Sequence, residues 1–230
     1  MTLSSEIFDV NGTAIPFYYR ENSVGDQGVI RQIFKDYDYD FRHWHQGRKL
    51  IEYHEEHSKE MASLIVDAGA NIGASAIFFN TYFKDSFVFA IEPDLTNFKL
   101  LKLNTKEMDV VGFKGAIANE DGVLELEDPG HSDWGFRTKR VADAASDRLV
   151  KSISPNTILS HPLTQNTNPL VMKIDIEGGE DALFSSNTEW LDRFPLVIIE
   201  LHDWLMPFTG VSKNFFKAIA EYDFDFLHKG

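Results

Sequence analysis

Leu64-Ile65-Val66-Asp67-Ala68-Gly69-Ala70-Asn71-Ile72-Gly73 is the stretch on which the fold turns. Its aliphatic start lacks polar alternation, as expected of a strand buried on both faces of a parallel sheet. Gly69 permits a tight turn, and Gly73 lets the following helix pack close to the strand. Downstream, Phe87–Glu92, Phe113–Ile117, Leu170–Asp175 and Leu196–Leu201 repeat the apolar pattern. Helical spacing fills the intervals at 73–84, 94–107, 179–191 and 211–222. The alternation predicts an α/β fold, a Rossmann-like doubly wound and mainly parallel sheet. After a turn at Asn119–Gly122, Val123–Leu126 reads as an inserted antiparallel strand. Residues 150–168, rich in Ser, Thr, Asn and Pro, read as an irregular connection. Upstream, Ile7–Val10 and Ile15–Tyr19 flank Asn11-Gly12 as a hairpin. Residues 24–37 have helical spacing, and 40–62 become helical in their second half. The reading is one domain, with an N-terminal hairpin/helix cap over 1–60 on a core over 61–230.

Composition narrows the partners. The chain has 230 residues and a formal net charge of −14. Nucleic-acid binding depends on Lys and Arg neutralising phosphates, so a polynucleotide or an anionic membrane surface is disfavoured. A neutral or cationic small molecule fits better. No apolar run approaches the ~20 residues of a membrane span. The start, MTLSSEIFDV, lacks a basic n-region and an apolar h-region, so the expected location is cytoplasmic. There is no cysteine, hence no disulfide and no thiolate nucleophile.

The glycine loop alone could be a plain βα turn. Glu92 argues otherwise, because it ends the next strand about 20 residues beyond Gly69, where an acid can hold both hydroxyls of an adenosyl ribose. A dinucleotide fingerprint would carry a glycine two residues after Gly69, but Asn71 stands there. Asp67 also places a carboxylate beside the loop, unfavourable to pyrophosphate. S-adenosylmethionine (SAM) has no phosphate and carries two cationic groups, so the loop reads as a SAM site. An NAD(P)-dependent oxidoreductase and a non-catalytic adenosyl-ligand binding module are the alternatives.

Three motifs carry a resemblance: Val66-Asp-Ala-Gly-Ala-Asn-Ile-Gly73, Ile91-Glu-Pro-Asp94 and Lys173-Ile-Asp-Ile-Glu-Gly-Gly-Glu180. They are similar to FkbM-type methyltransferases of the class I SAM-dependent superfamily, and the likeness runs over roughly 24–203. Asp26-Gln-Gly-Val-Ile-Arg-Gln-Ile-Phe34 is similar to that family's leading helix. The resemblance implies O-methylation of a hydroxyl on a small molecule or glycan. By it, Asp67, Gly69, Asn71 and Gly73 line the methionine end of the cofactor and Glu92 the ribose. Pro93 and Asp94 flank the adenosine, with the backbone around Ala118 and Asn119 near the adenine. Two features depart from the pattern. Residues 151–168 lack the acidic stretch that often precedes the fourth strand, and Phe226-Leu-His-Lys-Gly230 falls before the superfamily's last antiparallel strand. An open sheet edge is then expected, and with it a homo-oligomer.

Chemistry in such a sheet sits beyond the carboxyl ends of the strands. Asp175 occupies that place on the fourth strand, and Glu200 and His202 on the fifth. Methyl transfer to a hydroxyl needs alignment and removal of a proton, so Asp175 is the first candidate base or acceptor-orienting group. His202, with an ordinary pKa near ~6.5, is the second. Glu177 reads equally as a site residue or a helix cap, and Glu180 as a cap. Lys173 could pair structurally with Asp175. Asp175, Glu200 and His202 could hold a hard divalent cation, but no dedicated ligand spacing is present and no metal is expected. Trp134 and Phe136 could close over an acceptor.

Overall fold

The structure is a computed structural model that describes residues 2–127, 137–140 and 148–229. Trp134 and Phe136 lie outside the described residues.

The opening hairpin forms as the Asn11-Gly12 turn dictates, with β1 (Leu3–Val10) antiparallel to β2 (Thr13–Arg20) and both turn residues at positive φ. Helix α1 (Val24–Ile30) starts at Ser23, whose hydroxyl accepts the Asp26 N–H. It runs on into a π-helical turn over Arg31–Lys35, so the helical reading of 24–37 holds with a change of pitch. Helix α2 (His45–His57) follows. The hairpin is tied to the core by Asn104, which accepts the Tyr18 N–H at 2.8 Å and donates to Tyr18 O at 2.9 Å.

The core is a five-stranded parallel sheet in the order β11-β10-β3-β4-β5. Its strands are β3 (Ser63–Ala68), β4 (Ser86–Glu92), β5 (Val110–Lys114), β10 (Asn168–Ile174) and β11 (Leu196–Ile199). Helices α3 (Ala74–Tyr82) and α4 (Leu95–Asn104) link the first three. Every residue of β3 is buried. Ile65 joins the apolar layer formed with Phe17, Phe34, Phe78 and Val171, while Leu64 and Val66 join the opposite layer with Phe89, Met172 and Trp190. Both faces are therefore covered, which is why the strand shows no polar alternation. The chain runs outward through β3, β4 and β5, then returns to the other side of β3 as β10. The order thus reverses between β3 and β10, and ligands of open α/β sheets bind beyond the strand ends at such a point.

Three expectations are corrected. The apolar run 113–117 is not one strand. The chain leaves the main sheet at Gly115, and β6 (Ala116–Ile117) pairs with β9 (Leu149–Ile153) in a second sheet of order β6-β9-β7-β8. A side chain at Gly115 would collide with the Lys151 carbonyl and the Phe113 ring, so glycine permits the switch. Residues 150–168 are not irregular, since they hold most of β9 and α5 (Pro155–Ser160). That helix has a Ser154 cap and Pro155 in its first turn. The helix expected over 179–191 is only α6 (Glu180–Leu183), with a 3₁₀ turn over Glu189–Arg193. Ser185-Ser186-Asn187 breaks it, with Asn187 at φ 57° and its amide donating to Asn119 O.

The inserted strand is confirmed as β7 (Gly122–Glu127), antiparallel to β9 and to β8 (Arg137–Arg140). Helix α7 (Lys213–Ile219) packs beside α6, through Phe215 against Phe184. No helix of the described residues is long and apolar enough to cross a membrane.

Candidate active site

At the reversal point the loop after β3 meets the end of β10. Gly69 N and Ala70 N both donate to Ile91 O, and Asp175 N donates to Ala68 O. Gly69 has φ +78°, and a Cβ there would collide with the Asp175 carbonyl oxygen. The glycine therefore serves a close backbone approach between the two strands that would form the site. Gly73, the left-handed N-cap of α3 at φ +95°, behaves differently from expectation. Its missing side chain accommodates Leu101 and Thr105 at the end of α4, so the close contact is between helices and not with the strand.

Glu92 lies buried at the end of β4, and its two oxygens brace two loops. Oε2 accepts the Asn71 N–H at 2.8 Å, and Oε1 accepts the Asp94 N–H at 2.9 Å. Asn71 itself is left-handed at φ 49°, and its side-chain Oδ1 is buried without a hydrogen-bond partner. Burial pushes the Glu92 carboxyl up to about 7 against the pull of those two N–H groups. Pro93 links Glu92 to Asp94, which caps α4 by accepting from the Thr96 and Asn97 amides at 2.8 Å each. Ala118 and Asn119 lie buried after β6, and the Asn119 amide donates to Ser185 and Ser186 hydroxyls at 3.1 and 2.7 Å.

Asp67 does not present a bare carboxylate to the loop. It is fully buried, with Oδ2 accepting from Ser75 Oγ at 2.6 Å and Oδ1 3.1 Å from Lys173 Nζ. The expected Lys173–Asp175 pair is the looser contact, at 3.7 Å. Lys173 also donates to Gly69 O at 2.7 Å, so one ammonium ties the glycine loop to both acids. Burial alone would discharge this lysine, but the carboxylates of Asp67 and Asp175 outweigh it and hold its pKa above the ordinary value. The repulsion of pyrophosphate attributed to Asp67 is therefore largely neutralised, and the distinction between cofactors falls on Asn71, since an acid at the position of Glu92 suits the ribose of either.

Asp175, Glu177 and His202 lie close together beyond the ends of β10 and β11. His202 is buried, and its Nδ1 lies 2.6 Å from Glu180 Oε1. Its Nε2 stands 3.4 Å from Glu177 Oε2, 3.6 Å from Asp175 Oδ1 and 3.8 Å from Glu200 Oε1. Burial opposes a charge on this ring, but Glu180, Asp175 and Glu177 overcome it and raise its pKa to about 9. That shift favours the protonated ring, with its Nε2 turned toward Asp175, Glu177 and Glu200. Glu177, in a left-handed conformation at φ 55°, is pushed by burial up to about 7. A bulky non-glycine residue held there stores strain, a common feature of functional sites.

Two residues near these groups were not among the expected site residues. Glu180, read as a helix cap, does accept the Gly178 N–H at 3.2 Å, but it is fully buried and orients His202. The signal was present, since Glu180 follows Asp175 in one short motif. Tyr39 of the N-terminal segment stacks on Phe79 at 5.3 Å, and its hydroxyl feels the charges of Lys173, Asp175 and Asp67. Burial keeps that phenol protonated well above its ordinary range. No local pattern at Tyr39 reveals a partner more than a hundred residues away.

The central parallel sheet flanked by helices is consistent with a Rossmann-like methyltransferase fold. Comparison with known proteins points the same way. The chain is 27% identical over 162 residues to the hexuronic acid methyltransferase AglP of Haloferax volcanii, covering 70% of this chain and 62% of that protein. It is 26% identical over 198 residues to Methyltransferase 1 of Beauveria bassiana, covering 70% of this chain and 75% of that protein. The chain thus spans less than two thirds of the length of AglP. No family model matches the chain, and no solved structure does.

Proposed function

We propose that this protein is a SAM-dependent O-methyltransferase of FkbM type whose acceptor is a hydroxyl on a sugar or a related small molecule. The observation that carries the reading is Glu92 bracing the Asn71 and Asp94 amides across the mouth of the sheet. Each carboxylate oxygen spends one lone pair on the backbone and keeps another, as two vicinal ribose hydroxyls require. The buried, unpartnered Asn71 Oδ1 beside it suits the ammonium of an amino acid. Asp67, Gly69, Asn71 and Gly73 would hold the methionine end, Pro93 and Asp94 the adenosine flank, and Ala118 with Asn119 the adenine side. When bound, SAM supplies a methyl group on a sulfonium that leaves as a neutral thioether.

The protein's own task is to aim the acceptor oxygen and take its proton. Asp175 is 24% exposed on its side chain, at the strand end, and can accept a hydrogen bond from the hydroxyl. His202, charged and fixed by Glu180, faces Asp175 and can donate to an acceptor oxygen. Trp204, 63% exposed with its ring 6.2 Å from that of His202, offers a flat apolar face on which a sugar can lie. The hexuronic acid named for AglP supports a sugar acid as the first acceptor to try.

The test is Asp175→Asn, assayed for methyl transfer from SAM to a panel of sugars and uronic acids. The isosteric amide should keep the melting temperature and SAM affinity while turnover falls roughly 10²-fold or more. A variant of normal stability, normal SAM affinity and near wild-type rate removes Asp175 from the mechanism.

A further inference from the structure

The geometry points to a divalent-cation site formed by Asp175, Glu200 and His202, and we propose that the ion held there binds the acceptor hydroxyl. One oxygen of each carboxylate and one ring nitrogen lie within 4.8 Å of one another. Donors so spaced can share one ion, whose bonds to oxygen and nitrogen run about 2.0–2.6 Å.

Acidic groups alone would not carry this, but His202 adds a separate observation. It is 1% exposed, and Glu180 fixes its Nδ1, so the other nitrogen has a single direction. That nitrogen is aimed at three carboxylates and makes a hydrogen bond with none of them, standing 3.4–3.8 Å away. A histidine whose far nitrogen is held by a buried carboxylate is the usual arrangement behind a metal-bound imidazole. Glu177 Oε2, next to the same nitrogen, is buried without a hydrogen-bond partner. Four carboxylates therefore surround one imidazole, and Lys173 offers them only the looser contact to Asp175 at 3.7 Å, its tighter partner being Asp67 at 3.1 Å.

Two carboxylates and one imidazole suit a divalent ion of intermediate hardness, with manganese the natural probe. Three protein ligands leave positions open for substrate, and a sugar hydroxyl with a neighbouring oxygen can fill two of them. A proton on Nε2 and an ion at Nε2 are alternatives, so the imidazolium is the form of the ion-free site. The ion's role toward the acceptor rests on the methyltransferase reading, whereas ion binding does not.

The experiment uses the full chain stripped of metal by a chelating resin and titrated with Mn²⁺, free Mn²⁺ being followed by its electron paramagnetic resonance signal. S-adenosylhomocysteine binding is measured by calorimetry on the same samples. One Mn²⁺ should bind per chain, and Glu200→Gln and His202→Gln should each weaken it at least tenfold. Glu200 is at the surface, with 44% of its side chain exposed, so its amide variant should stay folded if the buried histidine variant does not. Absence of saturable Mn²⁺ binding up to millimolar ion, or binding unchanged in Glu200→Gln, would overturn the site. If Mn²⁺ binds as expected but S-adenosylhomocysteine does not, the site stands and the methyltransferase reading fails. The reverse result retains the enzyme and removes the ion.

Discussion

Lys173 Nζ lies 3.1 Å from Asp67 Oδ1, and the two side chains are 2% and 0% exposed. They face each other across the β3–β10 pairing, where Lys173 and Asp67 are register partners. Removing either member leaves a buried charge without its counterpart. Lys173→Met should cost about 3–5 kcal/mol, read from urea unfolding. The double variant Lys173→Met with Asp67→Asn should cost less than the two single changes added together. Additive losses would show that the pair is not coupled.

Gly69 sits where the β3 loop and the Asp175 carbonyl come closest. Gly69→Val puts a branched side chain into that backbone at a φ that L residues avoid. The expected outcome is a lowered melting temperature and loss of measurable SAM binding. A folded variant that binds SAM like the wild type would reduce the loop to a structural turn.

Glu92 titrates near 7 because burial disfavours its charge. Its folded pKa is raised, so its contribution to stability is full below the unfolded value of 4.5 and is lost as pH climbs through about 7. Glu177 acts in the same direction. Ribose hydroxyls donate to the carboxylate form, so SAM affinity should run the opposite way and increase between pH 6 and 8. Glu92→Gln should flatten that increase, and titrations at several pH values check it. An equally steep rise in the variant would assign the titration to another group.

The parallel sheet was readable because burial on both faces leaves unbroken apolar runs at the middle of β3, β4 and β10, with the polar residues near the strand ends. The hairpin was readable from Asn11-Gly12. What failed was local. Ser185-Ser186-Asn187 ends α6 because its side chains find partners around Asn119, far away in the chain. Within the site, Asp175 and His202 could be placed because strand ends face one edge of a parallel sheet. The charge of His202 could not, since its raised pKa depends on Glu180 and Glu177, which arrive from the segment after β10. Tyr39 was invisible for the same reason, its relation to Lys173 being purely tertiary.

The central claim is that the Glu92 edge holds the adenosyl ribose of SAM, and calorimetry of SAM binding tests it most directly. Wild-type protein should bind one SAM per chain. Glu92→Ala, with its fold verified by circular dichroism, should lose one or two charge-assisted hydrogen bonds at about 1.5–3 kcal/mol each, weakening affinity by at least tenfold. Wild-type protein that binds no SAM, or a folded Glu92→Ala variant with unchanged affinity, would contradict the account.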